Sequence, residues 1–165
     1  MRTFPDHPAW YFATGVYGRQ GVATACLALQ ERHGVDVTLM LFCMWRTTLH
    51  GGVTDEQMTE LAAAAREWQE SAVLPLRAAR RWLRQRPEQE NLYRVVLAAE
   101  IDCEHGETLM LAKLASDPQG QPSAGALAEG LAVFFRECGV QLDQEDQLAV
   151  DVILAAIDPL QKPVA

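Results

Sequence analysis

Apolar residues gather most densely at positions 37–45, which read Val-Thr-Leu-Met-Leu-Phe-Cys-Met-Trp with no charge between Asp36 and Arg46. Leu, Met and Phe suit a helix, and only Val37 and Thr38 are β-branched, so the run predicts a helix rather than a buried strand. Asp36 is its N-cap and His50-Gly51-Gly52 its stop. At about 100° per residue the run is apolar on every side, so a central helix over about 36–50 must be wrapped by the others.

Periodicity predicts the remaining elements. Pro8 opens a first helix that ends near Tyr17, and its aromatic cluster, Trp10 to Phe12, is expected to pack against the central helix. A second helix over 20–33 carries Val22, Cys26, Leu29 and His33 on one stripe. Gly34 closes it, so His33 sits where the helix dipole favours a cation. Thr54 and Gln57 form a capping box for a helix that runs to about Ser71, which Pro75 ends or kinks; a short helix follows over 76–85. One long helix is expected over 88–114. Its stripe is Leu92, Val95, Val96, Ala99, Cys103, Gly106, Met110 and Leu114, within about 100° of arc. Gly106 lies on that stripe, where a missing side chain allows close helix approach. Residues 117–122 read as a loop. Ser123 caps a helix carrying Leu127, Leu131, Phe134 and Phe135. Asp143 caps the last, with Leu148, Val152, Ala155 and Ala156 as its stripe, and residues 160–165 are expected to fray. No strand pattern or internal repeat is present. The fold class is all-α: one domain over 1–165, a bundle of seven or eight helices around the central one.

Composition adds little to this picture, but charge adds an asymmetry. The net charge is -8; residues 1–87 hold ten Lys/Arg against eight Asp/Glu, and residues 88–165 hold four against fourteen. An acidic chain is a poor match for nucleic acid, whose phosphates dominate binding. No run reaches the ~20 apolar residues that a bilayer requires, and Met1 to Asp6 lacks an apolar leader, so a cytoplasmic protein without a membrane partner is expected. Cys26, Cys43, Cys103 and Cys138 form no Cys-x-x-Cys pair and read as small hydrophobes.

One cluster carries candidate chemistry. Arg77, Arg80, Arg81 and Arg84 share one face of the helix over 76–86, and arginine forks suit carboxylates and phosphates. With Trp10 and Trp45 they form the expected partner- or anion-binding set. The competing reading is internal pairing or plain solvation, because the next helix folds back and carries Glu100, Glu104 and Glu107, and Glu67 and Glu70 lie nearby. Asp102-x-x-His105 suggests a metal pair, but a bundle metal site needs a second such pair; a solvated face is expected, with no metal and no cofactor. No Gly-x-Ser-x-Gly or phosphate loop is present, and no catalytic residue is assigned.

Residues 10–45 carry Trp10-x-Phe12, Tyr17, Cys26-Leu27-x-Leu29-Gln30, Gly34-x-Asp36-Val37 and Leu41-Phe42-Cys43-x-Trp45. Further on stand Pro75-Leu76-Arg77-x-x-Arg80-Arg81-x-Leu83 and Ala99-Glu100. This pattern resembles an uncharacterised proteobacterial family of conserved hypothetical proteins, over roughly residues 9–110, with Thr38 standing where the family pattern has asparagine. The resemblance implies a bacterial cytoplasmic protein and lends no activity. The expected function is therefore a non-enzymatic interaction or regulatory bundle that binds another protein or itself. The alternative is a binding module or enzyme for a small anionic ligand, with its site between the N-terminal aromatics and the arginine helix.

Overall fold

The computed structural model describes residues 4–49, 51–115 and 120–161, with side chains to residue 157. The described residues form eight α-helices: α1 (Pro8–Tyr17), α2 (Val22–His33), α3 (Val37–Leu49), α4 (Asp55–Trp68), α5 (Leu74–Arg84), α6 (Glu90–Leu114), α7 (Ala126–Glu137) and α8 (Gln144–Gln161). No strand occurs among the described residues. His50 and residues 117–119 of the expected loop lie outside the described residues, as do residues 162–165 of the expected tail.

Helix α3 is the centre. Six consecutive residues, Leu39 to Met44, are buried, which requires neighbours on every side of the helix. They are supplied by α1, α4, α6 and α7. Asp36 caps it as expected, its Oδ1 accepting from the Leu39 amide at 3.1 Å. Helix α7 lies against α3 at Gly130, where a Cβ would stand 2.9 Å from Thr47 Oγ1. The residues α1 buries fully are small, Ala9, Ala13 and Val16; of the aromatic cluster, Phe12 packs partly buried against the core and Tyr11 is exposed. Helices α2 and α8 pair beside this group.

Three sequence expectations are corrected. Pro75 does not end its helix: a π turn, Gln69–Val73, joins α4 to α5 without a break. Proline has no amide to donate and its ring clashes with the carbonyl one turn back, and the wider turn just before it relieves that conflict. Helix α7 is capped by Gly125 at φ 83° rather than by Ser123. The largest correction concerns facing. Helix α6 runs unbroken through Gly106, as predicted, but its buried residues are Glu100, Glu107, Thr108 and Leu111. The buried stripe is the predicted one advanced by a residue, about 100° around the helix, and Leu92 and Val95 are left exposed. Helix α8 repeats the pattern: Val150, Ile153 and Ile157 are buried while Leu148 and Val152 are exposed. Its facing is fixed at Asp146, 1% exposed, which takes Arg32 at 2.6 Å and His33 at 2.9 Å from α2.

Candidate functional site

The α5–α6 interface is ionic. Arg77 donates through Nε to Glu100 at 2.9 Å and through Nη2 to Glu104 at 3.0 Å. Arg80 donates through Nε to the other Glu100 oxygen. Burial pushes the Glu100 carboxyl up, but Arg80 and Arg77 outweigh it and hold the group below the usual carboxylate range. Glu104 shares only Arg77, and burial keeps its carboxyl above the usual range.

Above this interface lies a cavity of about 420 Å³, within the range of small-molecule sites. Its walls include Trp10, Tyr17, Val37, Leu41 and Ile101, from α1, α3 and α6. Its polar lining is Asp36, Gln69, Arg77, Arg80, Glu100 and Glu104, with Arg81 also on it. A second groove of about 760 Å³ shares Gln30, Asp36, Gln69, Arg77 and Arg81 with the first. A third, of about 740 Å³ beside Trp68 and Met110, is charged only at Glu67 and Lys113 and gathers no convergent polar groups.

Behind the cavity stands a second carboxyl pair. Glu107 is fully buried; its Oε2 accepts from Gln69 Nε2 at 2.7 Å. Its Oε1, and Oδ2 of Asp36, are both buried without a donor. Burial first, and then hydrogen bonding to Asp36, push Glu107 far above the usual carboxylate range. A single proton held by Glu107 and donated to Asp36 satisfies both orphaned oxygens, since two carboxylates in contact cannot both ionise cheaply. The π turn is what brings Gln69 to this pair, in keeping with the placing of π turns at functional positions.

Trp10 is held in place from behind. Its indole stacks on His105 of α6 with centroids 4.4 Å apart and planes 3° from parallel, and Phe4 lies 5.1 Å from the same imidazole. His105 was expected on a solvated face; it is half-buried instead, with a buried Nε2 lacking a partner. The rotation of α6 that turns Glu104 inward carries His105 under α1. Among the described residues no group of three or more His, Cys, Asp or Glu could hold a metal ion.

Of the six residues predicted for the site, Trp10, Arg77, Arg80 and Arg81 line the cavity. Trp45 packs against His7 and Phe42, at 5.4 and 5.7 Å between centroids, and Arg84 is exposed; neither lines it. Arg77 and Arg80 are already paired, which withdraws both from an incoming anion. Arg81 is exposed and makes no ion pair with the described residues. Sequence reasoning missed Asp36, Gln69, Glu104 and Glu107 as site residues. The signal for the two glutamates was the spacing of Glu100, Glu104, Glu107 and Leu111 at i, i+4, i+7 and i+11, a carboxylate stripe at helical period; Asp36 and Gln69 had none.

A family model described as a protein of unknown function (DUF2390) matches residues 8–111. The match contains α1 to α5 and nearly all of α6, and so every residue named above on the cavity and its floor. No curated protein and no solved structure matches the chain.

Proposed function

The chain belongs to the DUF2390 family, proteins of unknown function, and we propose that it is a small-molecule-binding module whose site is the cavity between α1, α3, α5 and α6. The observation that carries this reading is the pairing of an apolar wall, Trp10 to Ile101, with a floor of converging polar groups, Asp36, Gln69 and Glu104. That combination distinguishes ligand sites from packing defects. An anionic ligand is the weaker version, because only Arg81 keeps an uncommitted guanidinium there. A catalytic role is not part of the reading.

The test is a fragment screen read by amide and indole NMR. Binding fragments are expected to shift the Trp10 indole together with Thr38 and Ile101, and to lose affinity in Trp10→Ala. Fragments that bind only at Trp68 and Met110 contradict the assignment.

A protein-interaction bundle is the second reading, favoured by Leu92 and Val95 on α6 and Trp82 on α5, which are 48%, 59% and 58% exposed. Exposed apolar groups of this size mark docking surfaces when they are contiguous. Leu92→Ser with Val95→Ser is expected to abolish self-association or partner capture if this surface is used; unchanged light scattering and pull-down reject it. A cytoplasmic, bacterial setting belongs to the proposal too, supported by four free cysteines. Among the described residues no helix is long and apolar enough to cross a membrane. Nucleic acid is disfavoured by the net charge of -8.

A further inference from the structure

The charges on the cavity floor are unevenly paired. Both inward arginines are committed to Glu100: Arg77 at 2.9 Å, and Arg80 on the opposite oxygen. Glu104 receives only the second fork of Arg77, at 3.0 Å, and its side chain is 27% exposed on the cavity. Asp36 receives the Leu39 amide and, among the described residues, no cation; its other oxygen is buried and orphaned. Glu107 behind it receives the neutral Gln69. Three lining carboxyl groups face three guanidinium groups, but Arg77 and Arg80 are drawn to Glu100 and Arg81 is exposed, so Glu104 and Asp36 are the carboxyls least matched by a cation. The walls are flat and apolar on the Trp10 side, and the indole is fixed there by the stack on His105.

We propose that the ligand is a flat organic monocation, such as an amidine, a guanidine or a protonated aromatic amine. Its positive group lies against Glu104 within the field of Asp36, and its flat body lies along Trp10. This rests on the pocket reading above and adds the ligand's charge and shape. Desolvation of a carboxylate is offset by an opposite charge with good geometry, and a face-on cation or a conjugated ring gains further from an indole wall. Burial raises both Glu104, on the cavity, and Glu107, behind it. An added cation favours their ionised forms, so its binding releases protons. The groups that act on this proton are Asp36 from the start of α3, Gln69 from the π turn, Arg77 from α5 and Glu100 from α6 itself. The competing element is Arg81, exposed on the same lining, which would favour an anion.

Three probes of one shape separate these possibilities: benzamidine, benzyl alcohol and benzoate. Each is titrated into the full chain near neutral pH, with NMR to locate it and calorimetry in phosphate and in Tris to count protons. Benzamidine is expected to shift the Trp10 indole and Ile101, to release protons, and to bind at least tenfold more tightly than benzoate. Glu104→Gln is expected to remove that preference. Asp36→Asn, which keeps the N-cap, is expected to weaken benzamidine in the same direction and serves where Glu104→Gln folds poorly. If benzoate or benzyl alcohol occupies the Trp10 wall as tightly as benzamidine, the charge assignment is overturned and the pocket survives. If none of the three perturbs Trp10 and Ile101, the pocket reading falls with it.

Discussion

Glu107 has no exposed surface, one oxygen on Gln69 and the other facing Asp36 without a donor. Its folded-state carboxyl is held up, by burial first, while the unfolded chain titrates near the ordinary 4.5. Above that pH the unfolded state has lost a proton that the folded state keeps. This contribution to stability is complete below 4.5 and declines as pH rises towards the folded value. Glu107→Gln keeps the shape and can donate to Asp36. It should therefore raise the melting temperature at pH 8 by several degrees relative to wild type, and by much less at pH 4. Equal shifts at both values would show that Glu107 ionises normally. Phe42, 1% exposed on α3, supplies the apolar counterpart: Phe42→Ala should cost about 3–5 kcal/mol in chemical denaturation. A loss below about 1 kcal/mol would displace the core from α3.

Helices here were easier to locate than to orient. The 37–45 run, the Thr54 capping box and the unbroken helix through Gly106 were legible because local chemistry decides them; the box is present in both directions, at 3.1 and 3.2 Å. The facing of α6 was not legible from hydrophobicity. Its inner residues are carboxylates whose burial depends on Arg77 and Arg80, 20 to 27 positions earlier in the chain. An apolar-stripe criterion sends such residues outward, and the error of one residue left the floor of the cavity unseen. The arginine face was legible, but its face divides by function. Arg77→Ala leaves Glu100 and Glu104 without Arg77 in a buried interface, so it should cost about 3–5 kcal/mol. Arg81→Ala should cost less than about 1 kcal/mol, because its side chain is exposed and unpaired. Similar losses in both variants would contradict the rotation of α6. At the α3–α7 contact, Gly130→Ala would drive a methyl into Thr47, whose hydroxyl is committed to the Cys43 carbonyl at 2.9 Å. It should destabilise by about 1–3 kcal/mol, and a neutral or stabilising effect would mean that the contact is looser than described.

Across the whole molecule, the uneven charge acts largely within the fold. The arginine-bearing first half meets the acidic second half at two seams: α5 on α6 through Arg77 and Arg80, and α2 on α8 through Arg32, which reaches Asp143 and Asp146. Sequence alone showed the asymmetry but not where it was satisfied, because both seams depend on helix packing. The carboxyls least matched by a cation are Asp36 and Glu104, with Glu107 behind them, beneath the wall formed by Trp10. Helix α6 turns its carboxylates inward to floor this cavity. Carboxyl carbon NMR of glutamate-labelled protein, titrated from pH 3 to 9 with Glu100→Gln, Glu104→Gln and Glu107→Gln for assignment, tests it most directly. Glu107 is expected to stay protonated at neutral pH, with Glu104 titrating above the ordinary glutamate range and Glu100 below it. Three glutamates titrating together near 4.5 would instead place that face of α6 in solvent.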